Sequence, residues 1–334
     1  MKNPSLKQFV FAFTVLASLP LQTLAKDPEP PFQVPERHGS ITSYFPGKPD
    51  SRQTVVIIQD LHANVGVQKN IAALLYRLQR INKIPGLLVC VEGASGEGDV
   101  SLLRSLPGPV RRGFEAMLLR RAYLTGAELA ATEAAADWTQ QQAVLWDRVK
   151  RWFSKPKNPG PVSLSPLVLW GVDDPELYRK NWRAAKTVDK QRFKALEYVK
   201  SLRGMVSAGE TGPLQKHLEL LTKLLLLRLQ PEEYKLYLKS RHLNPKGPPI
   251  FQSTVEAAEV YYEAAEARSY AMAKNLLDKM KHRPGITALI TGGFHTEEIA
   301  EVLKQHKLPV VVITPDVKVL DQDEAYRARL REEE

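Results

Sequence analysis

Two histidines and a set of carboxylates in this chain of 334 residues each lie within a few residues of the end of a short apolar run, the position at which α/β folds do their chemistry. Asp60 and His62 follow Thr54–Ile58, and Glu92 follows Leu87–Val91. Asp173 and Asp174 follow Leu167–Trp170 through Gly171-Val172, and His295 follows Ile286–Ile290 through Thr291-Gly292-Gly293-Phe294. Two imidazoles among carboxylates can bind a divalent cation, or can serve without metal as a base and its orienting partners around an attacking water. Each residue also has a plainer role open to it. Asp173 or Asp174, before Pro175, suits a helix N-cap, and Asp60 could hold its turn. His62 alone would be a hydrogen-bonded turn residue, but a second histidine at an equivalent strand end favours function. Glu92 comes after five apolar residues, a costly place for a charge unless it is paired or used.

Gly292 and Gly293 permit close backbone approach to a ligand, although neither a Walker lysine nor dinucleotide-type spacing accompanies them. Arg268 lies in an unusually apolar helical stretch, after Ala264-Ala265 and one turn before Met272, and a buried arginine needs a carboxylate such as Glu92 or Asp174. Glu128, after Thr125-Gly126-Ala127, is a supporting candidate with helix capping as its alternative.

The elements that would position these residues are legible from the apolar pattern. Thr54–Ile58, Leu87–Val91, Leu167–Trp170, Ile286–Ile290 and Pro309–Ile313 lack polar alternation, as strands covered on both faces do. Val67, Ile71, Leu74, Leu75 and Leu78 recur at helical spacing, and a further helix is predicted from Glu297 to about His306. Long helical stretches are predicted over about Pro109–Phe153, Glu176–Leu238 and Thr254–Lys281, broken at Lys155–Pro166 and Asn244–Pro249. The expected fold is α/β: a mostly parallel central sheet flanked by helices, one domain over 51–316, with helical insertions at about 100–165 and 176–282.

Residues 1–25 carry Lys2 and Lys7, an apolar run ending before Pro20, and Thr23-Leu24-Ala25, the pattern of a cleaved secretory signal. The run is too short to span a bilayer, so no stable membrane span is expected, and the reading is a periplasmic or secreted protein. A linker and N-terminal extension at 26–50, Pro-rich over Asp27–Pro35, and a charged tail at 317–334 complete the expected organisation. Removing residues 1–25 lowers the net charge from +10 to +8. The basic residues are interleaved with acids and lack the aromatics of a single-strand binder, which describes a solvated surface and not a nucleic-acid partner. Cys90, the one cysteine, lies in an apolar strand as a small hydrophobe, and no intramolecular disulfide can form.

With these residues in view, the pattern resembles the superfamily that joins erythromycin esterases, the ChaN haem-binding lipoproteins, TraB proteins and the Tiki Wnt-cleaving metalloproteases. Its strand-end Gly-x-x-His, strand-end Glu, helical Arg followed by Met and late Gly-x-x-His are similar to Gln59-Asp60-Leu61-His62, Glu92, Arg268–Met272 and Gly292-Gly293-Phe294-His295. Gln59 departs by standing where the family has glycine, which removes backbone freedom next to His62. Tiki-type relatives imply metal-dependent peptidase chemistry, erythromycin esterases imply water activation by His and Glu, and ChaN implies haem binding.

Two readings follow. The first is a secreted hydrolase acting on a small-molecule or peptide substrate. His62, Glu92 and His295 would orient water or hold manganese, cobalt or zinc, and Arg268 would fix Glu92 or stabilise the oxyanion. The second is a binding protein for haem or another iron ligand, with Tyr123, Tyr261 or Tyr262 as axial ligands. No Cys-x-x-Cys-His sequence is present, so such haem would be held without a covalent bond. A scaffold that has lost its catalytic residues is a third, supported only by Gln59.

Overall fold

The structure, a computed structural model, describes residues 29–81, 84, 86–132, 167–205 and 212–318. The expected signal segment, the Pro/Lys stretch at 155–166, the second half of the 109–153 helical stretch and nearly all of the expected tail lie outside the described residues.

Seven strands form one sheet in the order β1-β7-β2-β6-β3-β5-β4. They are β1 (Gly39–Phe45), β2 (Gln53–Asp60), β3 (Leu88–Val91), β4 (Ser95–Gly98), β5 (Val168–Val172), β6 (Gly285–Gly292) and β7 (Val310–Pro315). The five strands from β7 to β5 run parallel, and the two edge strands, β1 on β7 and β4 on β5, are antiparallel. The sheet is therefore mixed, and it begins at Gly39, inside the stretch read from sequence as linker and extension.

The alternation of side chains across a strand explains why the parallel runs are apolar throughout. Val56, Ile58, Val89 and Ile290 face one core, shared with α1 (Val65–Ile81) and α4 (Gly126–Ala131). Val55, Ile57, Cys90 and Leu289 face the other, shared with Met272 and Leu276 of α8 (Pro249–Met280) and Ile299 of α9 (Gly293–Gln305). Burial pushes the Cys90 thiol up to about 12, so it is an inert core residue.

The other helices are α2 (Ser101–Ser105), α3 (Gly108–Arg120), α5 (Pro175–Met205), α6 (Pro213–Leu225) and α7 (Pro231–Ser240). Helices α5 and α8 lie side by side, and with α6 and α7 they bury a third core around Leu221, Tyr234, Tyr237 and Tyr262. Phe294 packs against that third core, so the Gly-Gly-Phe-His turn joins the helical insertion to the sheet. Among the described residues no helix is long and apolar enough to cross a membrane.

Candidate functional site at the carboxyl ends of the parallel strands

Strands β2, β6, β3 and β5 are consecutive neighbours, so their carboxyl ends deliver side chains to one crevice. Asp60 ends β2 opposite Gly292 at the end of β6. Glu92 extends β3 by one more ladder bond, its N–H donating to the Ile290 carbonyl at 3.1 Å. Asp173 follows β5, its N–H donating to Ala94 at 2.9 Å, because the chain after Glu92 crosses directly over β5. That crossing requires glycine at 171, where a Cβ would meet the Ala94 backbone at 2.1 Å.

The Glu92 side chain, 8% accessible, is the hub. Its Oε2 accepts from the Gly292 N–H at 2.7 Å and the Thr291 hydroxyl at 3.0 Å. Its Oε1 accepts from Arg268 Nη2 at 2.9 Å and lies 3.3 Å from His295 Nε2 and 3.9 Å from His62 Nε2. Burial favours the neutral acid, but His295, His62 and Arg268 outweigh it and hold the carboxyl well below the usual carboxylate range. Arg268 is itself fixed on every side. Nε and Nη2 donate to Asp173, Nη1 donates to Asn181 at 3.0 Å, and the guanidinium lies 5.1 Å from the centre of the Tyr178 ring. Asp173 also accepts from the Gly93 N–H at 3.0 Å, which ties the arginine to the turn that carries Glu92.

The two histidines are held differently. His62 Nδ1 pairs with Asp60 Oδ2 at 2.7 Å, and the other Asp60 oxygen accepts from Gln68, whose own Oε1 accepts from the Gly126 N–H at 2.6 Å. Fixed in this way, the ring turns Nε2 toward Glu92. Burial works against a charged imidazole, yet Asp60 and Glu92 hold the His62 pKa well above its ordinary value. The side chain is 45% accessible, so solvent at the crevice mouth moderates that shift. His295 is buried, with Nδ1 2.9 Å from Ser269 Oγ. Ser269 is 1% accessible and also donates to the Ala265 carbonyl at 3.2 Å. A hydroxyl so enclosed orients His295 and is not placed to attack a substrate.

No family model matches the chain, and no curated protein matches it. Among solved structures it is similar to a crystal structure of a Bacillus cereus protein, at 14% identity and a TM-score of 0.20, over 71% of this chain and 56% of that one. The chain thus spans little more than half the length of that protein.

His62, Glu92, Arg268, His295, Asp60, Asp173 and Gly292 are all brought together in the crevice. A Cβ at Gly292 would stand 3.5 Å from Glu92 Oε2 and 3.6 Å from His62 Nε2, so the space beside this residue is bounded by both side chains. Gly293 opens α9 with nothing within 4 Å of its Cβ position. Two supporting candidates are structural instead. Asp174 caps α5, accepting from the Glu176 and Leu177 N–H groups at 2.9 Å. Glu128 closes a capping box with Thr125 on α4.

Of the tyrosines, Tyr262 accepts the Leu229 N–H deep in the third core, Tyr123 is exposed on the turn after α3, and Tyr261 is partly buried within the electrostatic reach of Arg268 and Glu92. Gln59 lies in extended backbone paired with Thr291, and its side chain accepts from Thr314 on β7 at 2.6 Å. Glycine is therefore not needed at 59, because the left-handed residue of this turn is Ala63, at φ 65°.

Gln68, Asn181, Ser269, Thr291 and Tyr178 were not anticipated as site residues. Gln68, Asn181 and Ser269 carried a readable signal, each a polar residue on the buried side of its helix.

Two imidazole nitrogens and a carboxylate oxygen suit manganese, cobalt or zinc in type. Among the described residues, however, no three His, Cys, Asp or Glu side chains are grouped as the ligands of an ion, and Glu92 Oε1 lies directly against the His295 ring.

Proposed function

We propose that the chain is a hydrolase that activates water in this crevice, with Asp60–His62 as its proton-transfer pair. The observation that carries the reading is the arrangement around Gly292. An accessible imidazole, oriented by a carboxylate, faces a second, buried carboxylate at 3.9 Å, and the position beside Gly292 has room for an atom in contact with both. A water held between His62 Nε2 and Glu92 would lose its proton to the imidazole as its oxygen attacks an ester or amide carbonyl. The protonated ring would then return that proton to the departing alcohol or amine.

Glu92 would orient the water and stabilise the imidazolium that forms on His62, while His295, held by Ser269, positions Glu92. Arg268, nearly saturated by Asp173, Glu92 and Asn181, acts as a positioning residue for Glu92 and does not reach the substrate. This role agrees with the water activation that the resemblance to erythromycin esterases implies. The proposed setting is periplasmic or secreted, and the proposed substrate a small ester or a peptide.

The test is hydrolysis of a panel of aryl esters and peptides by the wild type, His62→Ala and His295→Ala. Wild-type turnover that falls roughly 10²- to 10⁴-fold in His62→Ala is expected for the loss of a positioned acid–base group. Wild-type rates in both variants would overturn the reading. Elemental analysis and a visible spectrum of the same samples separate the alternatives. Stoichiometric manganese, cobalt or zinc that is lost on double substitution would make the hydrolase metal-dependent. A Soret band would favour haem binding without turnover.

A further inference from the structure

Helices α5 and α8 enclose a groove of about 560 Å³ that takes no part in the crevice. Arg179, Lys180 and Arg183 line its α5 side, brought together by their three- and four-residue spacing. Ala184 of α5 with Ala257 and Val260 of α8 form its apolar lining, and the shortness of these side chains leaves the space open. Asn181, which reaches Arg268, points to a different side of α5, so the groove is separate from the crevice.

The charge of the groove is one-sided. Its three cations are exposed, and Arg179 with Arg183 and Lys180 with Arg183 stand one helical turn apart, where like charges repel. Among the described residues that line the groove, Glu176 is the one acid. Its carboxylate is 89% accessible and 4.0 Å from Arg179, a solvated pair that compensates little of the positive charge. An anion seated between the three side chains would relieve their repulsion.

We propose that this groove binds a small molecule carrying a phosphate group on a compact apolar body, the phosphate oxygens meeting Arg179, Lys180 and Arg183 and the body lying against Ala184, Ala257 and Val260. A phosphate monoester brings three acceptor oxygens and a charge of about −1.5 to −2 at neutral pH, enough for two guanidinium forks and an ammonium. A carboxylate brings two oxygens and a single charge, and would leave part of the cationic wall uncompensated. The volume lies within the roughly 300–1,000 Å³ of small-molecule sites, so a whole ligand fits and not the anion alone. The inference is independent of the crevice and of the proposed hydrolysis.

The test is calorimetric titration of the full chain with phenyl phosphate, inorganic phosphate and benzoate, at neutral pH and low salt. Saturable binding of one phenyl phosphate per chain, tighter than that of inorganic phosphate or benzoate, is the expected result. The double variant R179A with R183A should weaken it at least about tenfold through the lost charge-assisted hydrogen bonds, with an unchanged melting temperature because both side chains are exposed. Ala257→Leu, which fills the apolar part of the groove, should weaken phenyl phosphate and leave inorganic phosphate unaffected. His62→Ala should bind phenyl phosphate as the wild type does, and a loss there would place the ligand in the crevice and overturn the proposal. Absence of saturable binding, equal binding by R179A with R183A, or benzoate binding as tight as that of phenyl phosphate would overturn it as well.

Discussion

Arg268 Nη2 meets Glu92 Oε1 at 2.9 Å across 176 residues of sequence, with both side chains less than a tenth accessible. The same guanidinium holds Asp173 at 2.6 Å, so one cation compensates two buried carboxylates. Replacing it leaves both charges in a low-dielectric setting, and Arg268→Ala should cost about 3–5 kcal/mol. Arg268→Lys keeps the charge but cannot reproduce the fork to Glu92, Asp173 and Asn181, so it should recover only part of that stability. Chemical denaturation of the three proteins at neutral pH measures the difference. Near-wild-type stability of Arg268→Ala would mean that the network contributes little.

The two glycines nearest the hub should respond in opposite ways. At Gly171 a Cβ would strike the Ala94 backbone at 2.1 Å, so Gly171→Ala must displace the turn that follows Glu92, at a cost of about 2 kcal/mol or more. At Gly292 a Cβ finds ordinary contacts at 3.5 and 3.6 Å, so Gly292→Ala should fold normally. Its methyl group would lie against both Glu92 and His62, where the proposed mechanism places the water, and should remove turnover. Melting temperature and ester hydrolysis, measured on both variants, separate the structural glycine from the one that borders the proposed reaction space.

The contrast between these positions reflects what the sequence made legible. The five parallel strands could be read because burial on both faces leaves unbroken apolar runs such as Thr54–Ile58, and their polar ends pointed to the crevice. The edge strands could not. Ser95–Gly98 has no large apolar residue and is a strand only through its pairing with β5, and Gly39–Phe45 is a half-exposed edge. Strand order, set by contacts far apart in sequence, was equally hidden. His62, Glu92, Arg268 and His295 were legible from strand ends and from an arginine in an apolar helix. Asn181 and Ser269 stood out only as polar residues on the buried sides of their helices, and their partners were hidden because these come from the packing of α5, α8 and α9 against one another.

The tyrosines considered as haem ligands are now distinguishable. The Tyr262 hydroxyl accepts the buried Leu229 N–H at 2.8 Å, so Tyr262→Phe should cost about 1–3 kcal/mol of stability by leaving that donor unsatisfied. It should leave any haemin spectrum unchanged. Tyr261→Phe is the informative variant. A Soret shift present in the wild type and absent in Tyr261→Phe would identify the crevice as a haem pocket, and no shift in either protein would remove that reading.

Asp60 sets the protonation of His62, and this relationship gives a prediction with a definite sign. The pKa of His62 is raised in the folded chain, so the pair stabilises the fold fully below the unfolded histidine value of about 6.5. That contribution is lost as pH rises through the folded value. If neutral His62 is the base, turnover must instead rise with pH through the same folded pKa. Asp60→Asn removes a carboxylate that raises it, leaving Glu92 as the remaining one. The His62 titration, followed by imidazole NMR, should therefore move to lower pH in Asp60→Asn. The rising limb of the rate profile should move with it, and the maximum rate should fall because the ring loses its orienting partner. A rate profile that stays fixed while the NMR titration shifts would show that His62 is not the group whose deprotonation starts the reaction.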